Sequence, residues 1–203
     1  MILAPGFPGV AFGTIDDGDG RSDLVSRTAI SAALGISEDW ATVHQTHSNR
    51  VVLAVGAGGH GAADGLVTKV LGLPLAVATA DCVPVAIVGD SVVAIVHAGW
   101  RGVAAGIVHA AVDAMGTEPK RAVIGPHIGP CCYEVGDEVI AAVGGHAAKT
   151  RWGSQSVDLA KAIVAQLNGI ETHTVNFCSR EDARFASHRE NGTPRRQVSV
   201  AWL

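Results

Sequence analysis

The sequence has little aromatic character, little charge and no long apolar run, and each shortage excludes a class of protein. Aromatic residues make up 4% and charged residues 17% of its 203 residues, with a formal net charge of −4. Every apolar run is broken well short of the roughly 20 residues that a membrane-spanning helix needs. No dense Lys/Arg block supplies the positive surface that nucleic acid requires. We therefore expect neither membrane insertion nor a nucleic-acid partner.

The four cysteines also lack a familiar pattern. Cys131 and Cys132 are adjacent, and Cys82 and Cys178 are isolated, so the spacing matches neither a secreted disulfide framework nor a Cys-x-x-Cys zinc motif. Residues 1–6 carry no basic segment followed by an apolar stretch, which an export signal would need. We therefore expect reduced thiols and a cytoplasmic location.

The sequence does have enough apolar material for a substantial core. Hydrophobic residues make up 48% of the chain, which is most simply one domain spanning residues 1–203. Strand-like and helix-like segments alternate without a linker, and the pattern predicts a mixed α/β (α+β) fold with a central mixed sheet flanked by helices. Predicted helices cover 22–34, 103–115, 137–143 and 157–167, and predicted strands lie near 10–13, 41–44, 50–55, 65–68, 75–79, 83–88, 91–96, 122–125, 172–177 and 197–201.

One predicted hairpin brings two metal-binding residue types together. Gly89-Asp90 separates two apolar, β-branched runs of six residues, which favours a hairpin with a two-residue loop. Pairing outward from this loop places Cys82 directly opposite His97. Directly opposed residues point to the same face with Cβ atoms about 5 Å apart, so their thiolate and imidazole could bind one ion.

The alternative interpretation of this pair is structural. A cysteine in an apolar run is commonly a small buried hydrophobe, and a histidine at a strand end is commonly just hydrogen-bonded. The polar and glycine-rich segments 79–82 and 97–102 favour a site, because a purely structural hairpin has little need of them. Pro84 donates no ladder hydrogen bond and indicates a sheet edge or a bulge nearby.

Several motifs, in order from about residue 40 to the C-terminus, resemble the laccase-domain family. The motifs are Gln-Thr-His at 45–47, Ala-Asp-Gly-Leu-Val-Thr at 63–68, Thr-Ala-Asp-Cys-Val-Pro at 79–84, His-Ala-Gly-Trp-Arg-Gly at 97–102, Ile-Gly-Pro-His-Ile-Gly-Pro-Cys-Cys-Tyr-Glu-Val-Gly at 124–136, Cys-Ser-Arg at 178–180 and Ser-His-Arg at 187–189. Members have been called polyphenol oxidases or multicopper-oxidase-like proteins, and are understood as zinc-dependent purine nucleoside phosphorylases that can also deaminate adenosine. The resemblance implies a cysteine-hydrolase-like laccase-domain fold and, as substrates, a purine nucleoside and phosphate.

The resemblance also implies that His47, Cys82 and His97 hold the metal. Two imidazoles and a thiolate leave a tetrahedral Zn²⁺ one open position, as a catalytic site needs. The same donors suit Cu²⁺, which is the alternative cofactor. The motifs contain no methionine for a blue-copper axial ligand, and the chain has no His-x-His pair of the kind expected in a multicopper oxidase. A copper-dependent polyphenol oxidase is therefore the weaker interpretation.

Candidate substrate contacts surround these ligands. The strand-to-helix turn with Gly99 and Arg101 predicts an anion site at a helix N-terminus near residue 103, and Arg50 is a second candidate for phosphate. The structural alternative is a tight turn with arginines in surface ion pairs. The resemblance further places near the site Cys131, Tyr133, Glu134, Arg180, His188 and Arg189. From the residues alone, these segments equally fit a turn before a helix and a solvated basic loop.

The chemistry itself stays open at the level of sequence. Asp81, beside Cys82, could act as the catalytic acid or base, or could orient a ligand histidine. A cysteine hydrolase acting on peptidoglycan-type or amide substrates, with Cys82 as nucleophile, and a non-enzymatic metal-binding module are further alternatives. The segment 12–21 is shorter than in relatives, which leaves the purine preference open. The oligomeric state cannot be predicted from these patterns.

Overall fold

Short strands in two large sheets form the largest part of the regular secondary structure. The computed structural model describes residues 1–116 and 121–203, and these contain fourteen strands and six helices. The strands are β1 Ile2–Leu3, β2 Val10–Phe12, β3 Ala41–His44, β4 Val51–Leu53, β5 Gly58–Ala62, β6 Gly65–Thr68, β7 Leu75–Thr79, β8 Val83–Val88, β9 Val93–Ala98, β10 Arg121–Ile124, β11 Ala147–Lys149, β12 Gln155–Val157, β13 Glu171–Thr174 and β14 Gln197–Ala201. The helices are α1 Leu24–Leu34, α2 Trp100–Ala104, α3 Ile107–Met115, α4 Asp137–Ala142, α5 Leu159–Leu167 and α6 His188–Asn191.

Both large sheets mix parallel and antiparallel pairs. The first has six strands in the order β1-β2-β14-β7-β3-β5, and the second has six in the order β13-β10-β8-β9-β6-β4, while β11 and β12 form a separate pair. In the second sheet β10 runs parallel to β13 and antiparallel to β8. The predicted mixed α/β class is therefore confirmed. The strands nevertheless divide between two sheets, where the sequence pattern predicted one central sheet.

The division into two sheets follows from strands that are apolar on both faces. Val85 and Ile87 of β8 pack in a core with residues of α3 and α5. Ala86 of β8 and Ile95 of β9 point the other way, into a core shared with Val77 of the first sheet. Strands buried on both faces need a covering layer on each side, and here these layers are helices and a second sheet.

The helices deviate from prediction where glycine interrupts them. The single helix predicted over 103–115 is two helices, Trp100–Ala104 and Ile107–Met115. They are separated at Gly106, whose φ of 81° no L-residue adopts readily. The first begins three residues earlier than the predicted start at 103, immediately after its N-cap Gly99. No helix among the described residues has the length and apolarity needed to cross a membrane.

The predicted register of the β8–β9 hairpin is wrong by two residues. Val88 pairs with Val93, so the connection has four residues, 89–92, and Pro84 is the residue opposite His97. The physical reason is the position of the turn. The Gly89 N–H donates to the Val92 carbonyl at 2.9 Å, so the two turn residues are Asp90 and Ser91 in place of Gly89 and Asp90, and each strand residue faces a partner two positions further along. A shift of two residues leaves every side chain on its original face, so Cys82 still lies on the same side as His97.

Pro84 does not mark a sheet edge, which corrects the second expectation about this hairpin. Strand β8 lies inside the sheet between β9 and β10. Pro84 is the second residue of β8 and lies one position beyond the last pair with β10, Ile124 with Val85. Its carbonyl still accepts a hydrogen bond of 2.9 Å from the N–H of Gly125. The missing N–H is tolerated because the proline stands at the beginning of the strand.

Candidate metal centre and pocket

Three predicted ligands meet where the chain leaves β3, enters β8 and leaves β9. The side-chain donor atoms of His47, Cys82 and His97 all lie within 4.8 Å of one another. Cys82 Sγ is 3.8 Å from His47 Nε2, and the two imidazole rings meet edge-on with centroids 4.8 Å apart. Two nitrogen donors and one sulfur donor in this arrangement could hold a tetrahedral metal ion with one position open.

The backbone at His47 is held in an unusual conformation. Its φ of 61° lies in the left-handed region, which is uncommon for a residue with a side chain. Asp64 enforces this turn, because its carboxylate accepts the backbone N–H of His47 at 3.0 Å and of Ser48 at 2.6 Å. The same carboxylate accepts the N–H of Thr46. Three consecutive amides directed at one buried carboxylate therefore fix the position of the His47 side chain.

Asp64 also orients the second histidine. Its Oδ1 lies 2.8 Å from His97 Nδ1, which leaves the other ring nitrogen of His97 for the metal position. Burial alone would raise the pKa of Asp64, but hydrogen bonds from His97, Ser48 and Thr46 outweigh burial and hold this pKa well below its ordinary value. Asp64 is a functional residue that the sequence analysis did not select. The sequence pattern that could have identified it is a carboxylate placed directly before the apolar strand β6. In the structure Asp64 is 0% exposed.

Cys82 and His97 shift each other's protonation. Burial raises the pKa of Cys82, but hydrogen bonds with His47 and His97 outweigh it and lower this pKa to about 6. Burial lowers the pKa of His97, but hydrogen bonds with Asp64 and Cys82 outweigh it and raise this pKa to about 9. The two opposite shifts favour a thiolate and an imidazolium over the neutral pair.

Asp81 lies beside Cys82, lines the pocket above the three donors, and accepts hydrogen bonds at both carboxylate oxygens. Its φ is 84°, its Oδ1 accepts the Ser179 hydroxyl at 2.7 Å, and its Oδ2 accepts the Arg189 backbone N–H at 2.6 Å. The carboxylate thus joins the turn before β8 to the loop after β13 and to the first turn of α6. The orientation of a ligand histidine belongs to Asp64 instead.

A pocket of about 540 Å³ opens above the three donors. Its walls include the apolar side chains of Ile128 and Leu159 and the ring of Tyr133. Its remaining lining is rich in cationic and imidazole side chains, namely Arg21, His44, His188, Arg189 and Arg196. The pocket therefore combines apolar side chains, which suit a ring, with cationic side chains, which suit an anion.

Of the predicted substrate contacts, Tyr133, His188 and Arg189 line the pocket. The Arg189 guanidinium stacks on the Tyr133 ring at 5.1 Å and donates a hydrogen bond to the carbonyl of Glu134. The Glu134 carboxylate does not line the pocket and accepts a hydrogen bond of 2.9 Å from Trp152.

The other predicted arginines lie outside the pocket lining. Arg50 donates to the carbonyl of Ala62 at 3.0 Å. Arg101 is exposed and stacks on Trp100, because α2 begins at Trp100 and turns the side chain outward. Arg180 forms an ion pair with Glu190 at 2.6 Å.

Gly99 and Cys131 contribute in ways that the sequence analysis did not predict. A Cβ on Gly99 would lie 2.7 Å from His47 Cδ2 and 3.1 Å from Cys82 Sγ, so the absence of a side chain makes room for two metal ligands. Cys131 lies outside the pocket lining, and its thiol contacts a second cluster with Cys132 and Cys178.

Arg21, His44 and Arg196 are lining residues that sequence reasoning missed. Arg21 lies at the end of the short segment 12–21, pairs with Asp19 at 2.8 Å and contacts Gln45. His44 was set aside because strand alternation would turn it away from His47. The strand ends at His44, so alternation no longer applies beyond it. No motif marked Arg21 or Arg196.

The chain is similar to a known family, to named relatives and to solved structures. The family model described as multi-copper polyphenol oxidoreductase laccase matches residues 14–203. A protein of Streptomyces griseus named purine nucleoside phosphorylase ORF3 is 38% identical in an alignment 182 residues long, which covers 79% of this chain and 73% of that protein. A purine nucleoside phosphorylase of Corynebacterium glutamicum is 34% identical in an alignment 205 residues long, which covers 91% of this chain and 83% of that protein. The crystal structure of Bacillus licheniformis hypothetical protein YfiH has a TM-score of 0.84 and 28% identity, and the match covers 96% of this chain and 92% of that one.

Proposed function

The chain belongs to the family described as multi-copper polyphenol oxidoreductase laccase, and from that premise we propose that it is a zinc-dependent purine nucleoside phosphorylase acting on inosine, guanosine and adenosine. Relatives named purine nucleoside phosphorylase support an enzyme of that kind. The observation that carries the proposal is the convergence of His47, Cys82 and His97 beneath a pocket with both an apolar wall and a cationic lining.

The pocket lining carries groups that suit each of the two substrates. Arg21, Arg189 and Arg196 present guanidinium groups that match the oxygens of phosphate. The Tyr133 ring, with Ile128 and Leu159, forms the apolar side on which a purine can pack. A nucleoside bridging these groups would have its ribose between base and phosphate, which phosphorolysis requires.

In phosphorolysis a phosphate oxygen bonds to the ribose C1′ as the bond from C1′ to the purine nitrogen breaks. The arginines bind the phosphate and orient the attacking oxygen. The leaving purine must receive a proton, which the imidazoles of His44 or His188 on the pocket wall could deliver. Zinc, held by His47, Cys82 and His97, would supply a Lewis acid that polarises a bound substrate group or water. We propose adenosine deamination, in which water replaces the amino group at C6, as a second activity of this pocket.

The test is product analysis with and without phosphate. Inosine with phosphate should give hypoxanthine and ribose 1-phosphate in equal amounts, and hypoxanthine should not form when phosphate is omitted. Adenosine should give adenine by phosphorolysis, and inosine with ammonia by deamination. Oxygen consumption with a phenol, without any nucleoside turnover, would support the polyphenol oxidase alternative and contradict the proposal.

The phosphate assignment predicts a selective kinetic effect at Arg196. We expect Arg196→Ala to raise the KM for phosphate about tenfold, equivalent to about 1.4 kcal/mol of lost binding, with little change in the KM for inosine. The matched control is Arg195→Ala, because Arg195 is exposed, bonds to the carbonyl of Ile15 and does not line the pocket. Equal effects of the two variants on both KM values would contradict the assignment.

Zinc binding should depend on pH through Cys82 and His97. Between their pKa values of about 6 and about 9 the thiol has already lost its proton and His97 has not. Around pH 8 each zinc ion should therefore release about one proton, and affinity should rise about tenfold per pH unit until the pKa of His97 is passed. Calorimetric titration in buffers of different ionisation enthalpy measures this release. An affinity that does not change between pH 7.5 and 8.5 would be inconsistent with it.

A cysteine hydrolase is the second candidate, and one observation favours it. Cys82, His97 and Asp64 form a thiol–imidazole–carboxylate series, in which Asp64 is 2.8 Å from His97 and the pKa of Cys82 is lowered to about 6. Such a series can activate a thiolate nucleophile. A covalent acyl adduct on Cys82, formed by a metal-stripped protein with an amide or peptidoglycan-type substrate, would favour this candidate. Metal binding without any turnover would favour the non-enzymatic module.

A further inference from the structure

A second cluster of metal-binding residue types lies apart from the His47 centre. The donor atoms of Cys131, Cys132, Cys178 and Glu181 all lie within 4.8 Å of one another. They come from the loop before α4 and from the loop after β13. Together these four residues, here termed the thiol cluster, contain every cysteine of the chain except Cys82.

The local backbone is shaped to bring both adjacent cysteines to one point. The N–H groups of Cys132 and Tyr133 donate to the carbonyl of Gly129 at 3.0 and 3.1 Å, which curls this loop into a tight turn. Gly129 leaves space for the cluster, because a Cβ there would lie 3.2 Å from Cys131 Sγ. Its own N–H donates to Cys178 Sγ at 3.3 Å. An N–H aimed at sulfur stabilises the negative charge that a coordinating thiolate carries.

The fourth donor is anchored within the same group. Glu181 Oε1 accepts a hydrogen bond from Cys132 Sγ at 3.1 Å, and the carboxylate also pairs with Arg151. The backbone of Arg151 is bound to the carbonyl of Cys131 at 2.9 Å. A positive side chain is therefore fixed beside a site whose filled form would be rich in negative charge. Cys131 and Cys178 are partly exposed, so an ion can reach the cluster from solvent.

We propose that Cys131, Cys132, Cys178 and Glu181 form a second metal site, which takes a thiophilic divalent ion such as Zn²⁺ independently of the His47 centre. Three sulfur donors and one carboxylate oxygen complete a tetrahedral shell, and thiolate-rich sets select soft or borderline ions. On binding, the three thiols release their protons to solvent and Glu181 coordinates as a carboxylate. A shell closed by four protein ligands is typical of a structural ion.

The ion would fasten two loops that shape the pocket. Tyr133, which lines the pocket, directly follows Cys132. Ser179, which donates its hydroxyl to Asp81, directly follows Cys178. Holding Cys132 and Cys178 on one ion therefore fixes the distance between two parts of the pocket wall.

The test is the number of zinc ions bound by the fully reduced protein, counted by native mass spectrometry after stripping and titration with Zn²⁺ alone. The wild-type chain should bind two ions, His47→Ala one, Cys178→Ser one, and the double variant none. The ion that Cys178→Ser retains at the His47 centre also reports that this variant is folded. Glu181→Gln, which removes the carboxylate donor, should bind one ion. Its matched control Asp182→Asn should bind two, because Asp182 pairs with Arg184 and is not part of the cluster.

A second readout identifies the ligands without any assay of turnover. In the His47→Ala variant, bound Co²⁺ should give intense sulfur-to-metal charge-transfer absorption, and Cys178→Ser should abolish it. The proposal is overturned if the reduced wild type binds one ion that His47→Ala removes, or if Cys178→Ser still binds two. It is also overturned if Cys131 and Cys178 are isolated as a disulfide and the protein, once reduced, binds only one ion. The two cysteines would then be a redox pair and not metal ligands.

Discussion

Replacing Asp64 with asparagine should lower zinc affinity at the His47 centre on the order of 10–100-fold and lower the free energy of unfolding by about 3 kcal/mol. Asp64 is 0% exposed, and its carboxylate accepts hydrogen bonds from the His47 loop and from His97. An amide offers only one acceptor oxygen, so its NH₂ group would face N–H donors. The His47 turn and the His97 ring would both lose their fixed positions.

The measurement pairs a zinc-affinity titration with urea unfolding of the metal-free protein. Asp113→Asn is the control, because this substitution makes the same chemical change at an exposed position of α3. This control should leave both quantities unchanged. If Asp64→Asn bound zinc as tightly as the wild type, the carboxylate would not be orienting the ligands, and the account of the centre would fail.

Gly99→Ala should weaken zinc binding on the order of 10–100-fold although it changes no ligand. The added Cβ would lie 2.7 Å from His47 Cδ2 and 3.1 Å from Cys82 Sγ, so His47 must move away from the metal position. The φ of Gly99 is −74°, which alanine adopts without strain. The effect should therefore fall on metal binding, and the free energy of unfolding of the metal-free protein should change by less than about 1 kcal/mol, because an imidazole at the surface can give way.

Gly56→Ala provides the matched control, since a Cβ at Gly56 meets nothing within 4 Å. Metal affinity of both variants can be compared by competition with a chromogenic chelator. An unchanged affinity in Gly99→Ala would mean that the ion is bound elsewhere than between His47 and Cys82.

The sequence predicted the class of fold and the meeting of Cys82 with His97 because both depend on local patterns. Apolar runs and turn residues identified the hairpin, although its register was wrong by two residues. The prediction that Cys82 and His97 lie on the same side of the sheet was still correct. Side chains alternate between the two faces with a period of two, so a shift of two residues leaves each side chain on its face. A shift of one residue would have placed Cys82 and His97 on opposite sides of the sheet.

What the sequence could not predict depends on contacts between distant segments. Asp64 binds the His47 loop 16 to 18 residues earlier and His97 33 residues later. Cys178 joins Cys131 and Cys132 only through the fold, since the segments are far apart in the chain. Arg21 reaches the pocket from the segment before α1. The hydrophobic periodicity of a sequence does not encode such contacts between distant segments.

The most direct test of the central claim is phosphate-dependent hypoxanthine release from inosine as zinc is restored to stripped protein. Wild type and Cys178→Ser are titrated in parallel, because zinc should bind the variant at the His47 centre alone. We predict no turnover in the stripped protein, and a rate in the variant that rises in proportion to zinc and saturates at one ion per chain. Full turnover in stripped protein, or none when the centre is filled, would contradict a zinc-dependent phosphorylase built on His47, Cys82 and His97.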